Sequence, residues 1–297
     1  MLSAPHFINR KFEKALFRRM LTGNIERRIL AIFEEGERGK SYFLWHLRDI
    51  CKSEGIPVSL LDFHPEHGLT NFLQVAHQFC NELGDLRFPS YQSQLKSYLS
   101  PALVHVQSES RGGVDFGSES DFSSAKIENI TGGNRINIGD TVLVESDVSS
   151  RYRQVAVMNI LGQSIKDDLA RFCNESQPVV VLIDTFERVP EETRIWLISW
   201  LFRPLVESFP RLVLVVVARP EAQVVTTLEG SSPWQHLLHP IHNFSSFTLE
   251  DIHQYFKLRH IPIPKDALKY LYPIFKNEPL RFCSIADALE MEVRSAR

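Results

Sequence analysis

The turn Gly39-Lys40-Ser41 constrains the fold more than any other feature, because each of its flanks suits one kind of element. Ahead of it, Ile29–Phe33 is a run of five apolar residues, the composition of a strand buried on both faces. Behind it, Phe43, Leu44, Leu47, Ile50 and Cys51 recur at helical spacing, which predicts a helix over 41–54. A strand, a glycine-containing turn and a helix in that order are what a phosphate-binding loop requires. Backbone N–H groups must converge on the anion without side chains in the way, and the helix adds its positive end. A lysine reaches the outer phosphates, and a Ser or Thr hydroxyl binds magnesium. The consensus is G-x-x-x-x-G-K-[ST]. Gly39, Lys40 and Ser41 match it, Glu34 stands at the first glycine position, and Gly36 adds one permissive point. Acids at 34, 35 and 37 lie where a polyphosphate would sit. Pointing inward, such acids would cost binding; Glu34 also gives up the φ freedom of a glycine.

Further strands are predicted at 58–63, 179–184, 212–217 and 237–244, with helices between them. Thr70 is the expected cap of a helix burying Phe72, Leu73, Ala76, Phe79, Cys80 and Leu83. Pro190-Glu191-Glu192 opens another helix, which Pro204 should bend or end. Alternation of this kind predicts an α/β fold with a parallel sheet of about five strands flanked by helices, which with the loop after its first strand resembles the P-loop NTPases of ASCE type. The expected division is a nucleotide-binding domain at 1–247 and a helical lid subdomain at 248–297, with helices at 249–259, 264–275 and 279–294. From about 84 to 150 the pattern dissolves into an insert. Residues 107–124 are polar, and the alternation around Gly132-Gly133-Asn134 signals a hairpin. Helical spacing returns over 152–172. The insert is a candidate docking surface or a plain linker.

The net charge of −3 provides no basic field for nucleic acid, and Arg18-Arg19 and Arg27-Arg28 read as solvated helix faces. Cys51, Cys80, Cys173 and Cys283 are too scattered for a disulfide framework or a zinc site, which fits a reducing cytoplasm. The N-terminal stretch lacks a signal-peptide apolar core, and the longest apolar run, 212–218, falls far short of the ~20 residues of a membrane span.

Two further strand ends carry chemistry. Val179–Asp184 ends in an acid suited to holding magnesium, and Glu187, three residues on, is placed to polarise an attacking water. The strand at 212–217 leads to Arg219, a cation that would stabilise charge on a transferred phosphate or lie idle at the surface. These three elements in this order resemble the signal-transduction ATPases with numerous domains, the STAND branch of AAA-like P-loop NTPases. Phe7–Leu21 resembles the family's adenine-proximal entry motif, and Asn277-Glu278-Pro279-Leu280 its lid motif without the usual glycine. Against the family loop G-E-G-G-x-G-K-[ST], Glu35, Gly36, Gly39, Lys40 and Ser41 match, while Glu34 and Glu37 replace glycines.

The resemblance implies ATP or ADP with Mg2+. Lys40 would grip phosphate, with Gly36, Glu37, Arg38, Gly39, Ser41 and Tyr42 completing the binding loop. Ser41 and Asp184 would hold the metal. Glu187 and Arg219 would act in catalysis, Arg10 would lie near the adenine or ribose, and Pro279 would close the lid. It further implies a switch acting with a separate effector or sensor protein, as in bacterial defence systems, and possible oligomers. The other reading is a pseudo-ATPase scaffold that binds nucleotide weakly or not at all.

Overall fold

The computed structural model describes residues 8–98, 134–138, 141–145, 149–172, 177–230, 232–242, 244, 246–275 and 279–295. Five parallel strands form the main sheet: β1 (Ile29–Phe33), β2 (Val58–Asp62), β5 (Val179–Asp184), β6 (Leu212–Ala218) and β7 (Leu238–His242). Their order is β2-β5-β6-β1-β7, so β1 lies between β6 and β7, and β6 separates it from β5. Every residue of β1, β5 and β6 is buried, as continuous apolar runs require. β7 is an edge strand with exposed positions and tolerates Pro240, which has no N–H to give a ladder. Alternate residues, Leu30 and Ile32 of β1 and Val180 and Leu182 of β5, pack with helices α1 (Lys11–Leu21) and α2 (Lys40–Ser53) through Phe17, Met20, Phe43, Leu44 and Leu47. Parallel register aligns the C-terminal strand ends. Phe33 is level with Ala218 and His242, and Asp62 with Asp184.

Backbone contacts divide the chain into two compact units. The first comprises Met1–Asp62, Glu175–Arg188 and Pro210–Arg297, and the second Phe63–Asn174 and Val189–Phe209. The first unit holds the whole main sheet. It also holds α8 (Ala222–Glu229) and the helices α9 (Leu249–Leu258), α10 (Lys265–Phe275) and α11 (Pro279–Ser295). The C-terminal helices share an apolar cluster of their own, centred on Phe247, Ile252, Phe256, Ile261, Leu268 and Ala286.

In the second unit, α3 (Phe72–Leu83) begins on Asn71 rather than the expected Thr70. Asn71 accepts from the Gln74 backbone N–H, and Gln74 returns the bond in a capping box. Thr70 instead donates its hydroxyl to Gln74. A helix at 89–98, α4, is held at its start by buried Asp168 of α5 (Ser149–Phe172), which accepts from the Ser90 and Tyr91 N–H groups. The helix opened by Pro190 neither ends nor simply bends at Pro204. It runs as α6 (Glu191–Ile195), widens to π geometry over Trp196–Phe202, and resumes as α7 (Arg203–Ser208) with the proline in its first turn. A residue without an N–H fits a first turn, where donors are unused anyway. The insert contains a hairpin, β3 (Asn134–Ile138) paired with β4 (Thr141–Glu145). Ile138 lies opposite Thr141, so residues 139–140 join the two strands in sequence, while Gly132 and Gly133 of the expected turn lie outside the described residues. Residues 99–133 of the insert lie outside the described residues, as do Cys173, Asn277 and Glu278.

Candidate functional site

The aligned strand ends gather most of the sequence-predicted residues on the carboxyl side of the sheet, where open α/β sheets bind ligands. β1 leads directly into the loop Glu34–Gly39, and α2 starts at Lys40. Gly39 caps α2 at φ 82°, a left-handed conformation that favours glycine. Glu37 shares that region at φ 64° without being glycine, whereas neither Glu34 nor Gly36 does. The backbone strain thus sits at 37, and the concern over lost φ freedom at 34 does not apply.

Glu34 is turned into the protein. It is 6% exposed. Its Oε1 accepts from the Glu35 N–H at 2.9 Å, and its Oε2 accepts from the Phe244 N–H at 2.6 Å. Arg38 Nε approaches the same carboxylate at 3.9 Å. The acid therefore ties the loop to the segment after β7. Glu35 and Glu37 are exposed to solvent, where their charge is screened. Lys40 Nζ donates to the Glu34 and Glu35 carbonyls, each at 2.6 Å, and so lies within the loop. Burial lowers its pKa from 10.5, opposed by the charges of Glu187, Asp184 and Glu34.

Ser41, next along α2, hydrogen-bonds Asp184 at the end of β5. Asp184 is 2% exposed and also accepts from the Thr185 N–H at 2.8 Å. Burial, reinforced by the charges of Asp62 and Glu187, raises its pKa from 3.8 to about 6 against the pull of the Ser41 and Thr185 bonds. Thr185 has φ 55°, uncommon for a β-branched residue, and strain of this kind clusters at functional sites. A short 3-10 turn, Phe186–Arg188, then presents Glu187. Glu187 Oε2 accepts from the Arg219 N–H at 3.1 Å, and its Oε1 lies 3.5 Å from Arg219 Nε. The Arg219 guanidinium also reaches the loop, since a Cβ built on Gly36 would stand 3.6 Å from its terminal nitrogen.

Arg10 approaches the loop from the N-terminal segment. With Asn9 it forms a consecutive left-handed pair, φ 67° and 56°, stabilised by the Arg10 N–H donating to Asn9 Oδ1 at 2.7 Å. Its buried guanidinium stacks on Phe244 at 3.9 Å and donates to the Arg38 carbonyl at 3.0 Å. Burial lowers its pKa to about 10. Tyr42 turns to Trp45, with ring centres 5.1 Å apart, and lies within electrostatic reach of Cys283, Asp287 and Arg259 of the C-terminal helices. Pro279 is the first residue of α11.

Two site features escape a reading of the sequence. Asp62, which ends β2 level with Asp184, was legible only as a second apolar run closing on an acid. The bond from Glu34 to Phe244, 210 residues away, has no local signal.

A parallel sheet in which one strand separates the loop-bearing strand from the strand ending in Asp184, with a GKS turn opening α2, defines a P-loop NTPase fold of ASCE type. No family model matches the chain, and no curated protein does. Among solved structures, a Walker-type ATPase of Pyrococcus abyssi is similar at 14% identity and TM-score 0.44, over 98% of this chain and 73% of that one. The ORC2 protein of Aeropyrum pernix in its ADP form is similar at 14% identity and TM-score 0.48, over 98% and 68%. A DNA replication initiation factor is similar at 11% identity and TM-score 0.46, over 97% and 64%.

Proposed function

We propose that this chain is an ATP- or ADP-binding P-loop ATPase of the STAND kind that works as a slow nucleotide switch with a separate effector or sensor protein. The observation that carries the reading is the Ser41–Asp184 hydrogen bond next to the Lys40 ammonium. It places a hydroxyl and a buried carboxylate side by side at the mouth of a loop that already holds a cation. Lys40 would exchange the two loop carbonyls for phosphate oxygens. Ser41 and Asp184 suit magnesium, which keeps most of its waters and needs few protein oxygens. When bound, magnesium would neutralise phosphate charge.

Slow turnover follows from Glu187. Its carboxylate is engaged by both the backbone and the guanidinium of Arg219, so it must be released before it can orient a water. Arg219 also lies against the loop, and an anion held there competes with Glu187 for it. Arg10 braces the loop by holding the Arg38 carbonyl. Arg259, bound by Asp287, Glu290 and Tyr255, stiffens the helices that face Tyr42. Movement of those helices is how the switch would be read by a partner.

Single-turnover ATP hydrolysis tests this. The wild type should turn over well below the ~1–10³ s⁻¹ of ordinary enzymes. Glu187→Gln should retain ATP and lose hydrolysis. Full activity in that variant would assign the water to another residue and undo the reading. The scaffold alternative draws support from Lys40, whose bonds to Glu34 and Glu35 close the loop on itself without a ligand. It requires that neither ATP nor ADP binds at millimolar concentration.

A further inference from the structure

We infer that the link from α9 to α10 carries a binding site for a small organic anion, a phosphate or carboxylate head on an apolar body, held by His253, Lys257 and His260. A cavity of about 340 Å³ lies there, lined by these three residues and by Ile261, Pro262 and Ile263. Small-molecule sites ordinarily measure about 300–1,000 Å³. His253 and Lys257 stand one helical turn apart on α9 and share a face, while His260 joins them from the link. Glu250 approaches His253 Nδ1 at 4.0 Å from an exposed position. The other wall is apolar and stiff. Ile261 and Ile263 pack into the apolar cluster of the C-terminal helices, and each precedes a proline, which confines it to extended backbone. A pocket fixed before its ligand arrives loses less affinity to ordering. Basic side chains near the end of a helix often serve to bond its last carbonyls. Here the backbone does so: the Arg259, His260 and Ile261 N–H groups donate to the carbonyls of Tyr255, Lys257 and Phe256 at 2.9–3.2 Å. Arg259 is held by Asp287 and Glu290, whereas the Lys257 and His260 side chains have no hydrogen bond or ion pair among the described residues. His260 also occupies the left-handed position that closes such a helix end, φ 57°, which glycine fills best. The imidazoles and the ammonium supply donors and charge for an oxyanion head, and the isoleucine–proline wall takes the body. The inference stands apart from the nucleotide-binding reading.

Titration calorimetry of the full chain with phenyl phosphate, hexanoate and inorganic phosphate tests it. The preferred of the two organic anions identifies the head group. It should bind saturably at millimolar concentration or below, roughly tenfold or more tighter than inorganic phosphate, because the apolar body is buried as well. Lys257→Gln and His260→Gly should each weaken it roughly tenfold. Lys40→Ala should leave it unchanged, and so should Lys269→Gln, which removes a lysine of α10 bonded to Asp266. His260→Gly should melt no lower than the wild type, since glycine suits that backbone, so its loss of binding is not a loss of fold. Three results would overturn the inference. Absence of saturable binding leaves no site, an equal loss in Lys269→Gln makes the attraction diffuse surface charge, and a loss in Lys40→Ala alone puts the anion in the phosphate loop.

Discussion

Glu34 occupies a consensus glycine position, yet its backbone does not need glycine and its side chain holds two backbone donors. Hydrogen bonds to a charged group contribute about 1.5–3 kcal/mol each. Restoring the consensus with Glu34→Gly should therefore destabilise the protein by about 3–6 kcal/mol in urea unfolding, without improving nucleotide affinity. Glu37 behaves in the opposite way. It sits at φ 64°, where an L-residue costs about 1–2 kcal/mol, and its side chain is exposed. After the flexibility that glycine adds to the unfolded chain, Glu37→Gly should stabilise by roughly 0.5–1 kcal/mol. A loss of stability at 37, or a gain at 34, would reverse the assignment of strain in the loop. The sequence presented both residues alike, as acids replacing glycines. Only the long-range partner Phe244 and the sign of φ distinguish them, and neither is encoded within a few residues.

At the scale of elements, the strands were legible because a strand buried on both faces is written as an uninterrupted apolar run. Val179–Asp184 appears with the bounds read from the sequence, and 212–217 gains one residue. The caps and turns were less legible. Thr70 and Asn71 are both good caps, and the choice depended on which could form a reciprocal pair with Gln74. The hairpin signal lay at Gly132-Gly133-Asn134, but Asn134 opens β3 and the described strands pair with Ile138 opposite Thr141. Pro204 reads in sequence as a bend or an end, but the widened turn ahead of it lets the helix continue. The end of β5 carries a pH dependence. Asp184 has a folded pKa of about 6 against 3.8 for the free group, so the folded chain holds this proton more tightly than the unfolded one. Its contribution to stability is present below about pH 4 and is lost as pH rises through 6, a change of about 3 kcal/mol. Without magnesium, Asp184→Asn should gain stability relative to wild type by about that amount between pH 4 and pH 7. Urea midpoints at the two pH values measure it, and a difference that does not grow with pH would mean the carboxylate is not disfavoured in the fold.

At the scale of the whole molecule, the candidate site draws on the N-terminal segment, the loop, three strand ends and the segment after β7, all within one compact unit whose sequence is split into three stretches. The loop departs from consensus where residues distant in sequence, Arg10 and Phe244, have taken over the bracing that glycines leave to the backbone. A folded chain that binds nucleotide gains stability by mass action, about 2.7 kcal/mol at a hundredfold excess over Kd. ADP with magnesium should accordingly raise the melting temperature of the wild type, and at the same concentration raise that of Lys40→Ala by clearly less.

Isothermal titration of ADP and magnesium into the wild type and into Lys40→Ala addresses the binding claim itself. The account predicts saturable one-site binding to the wild type and a loss of about 10- to 100-fold in affinity when the ammonium is removed. Equal affinity in the two proteins, or no heat from the wild type at millimolar ADP, would contradict it.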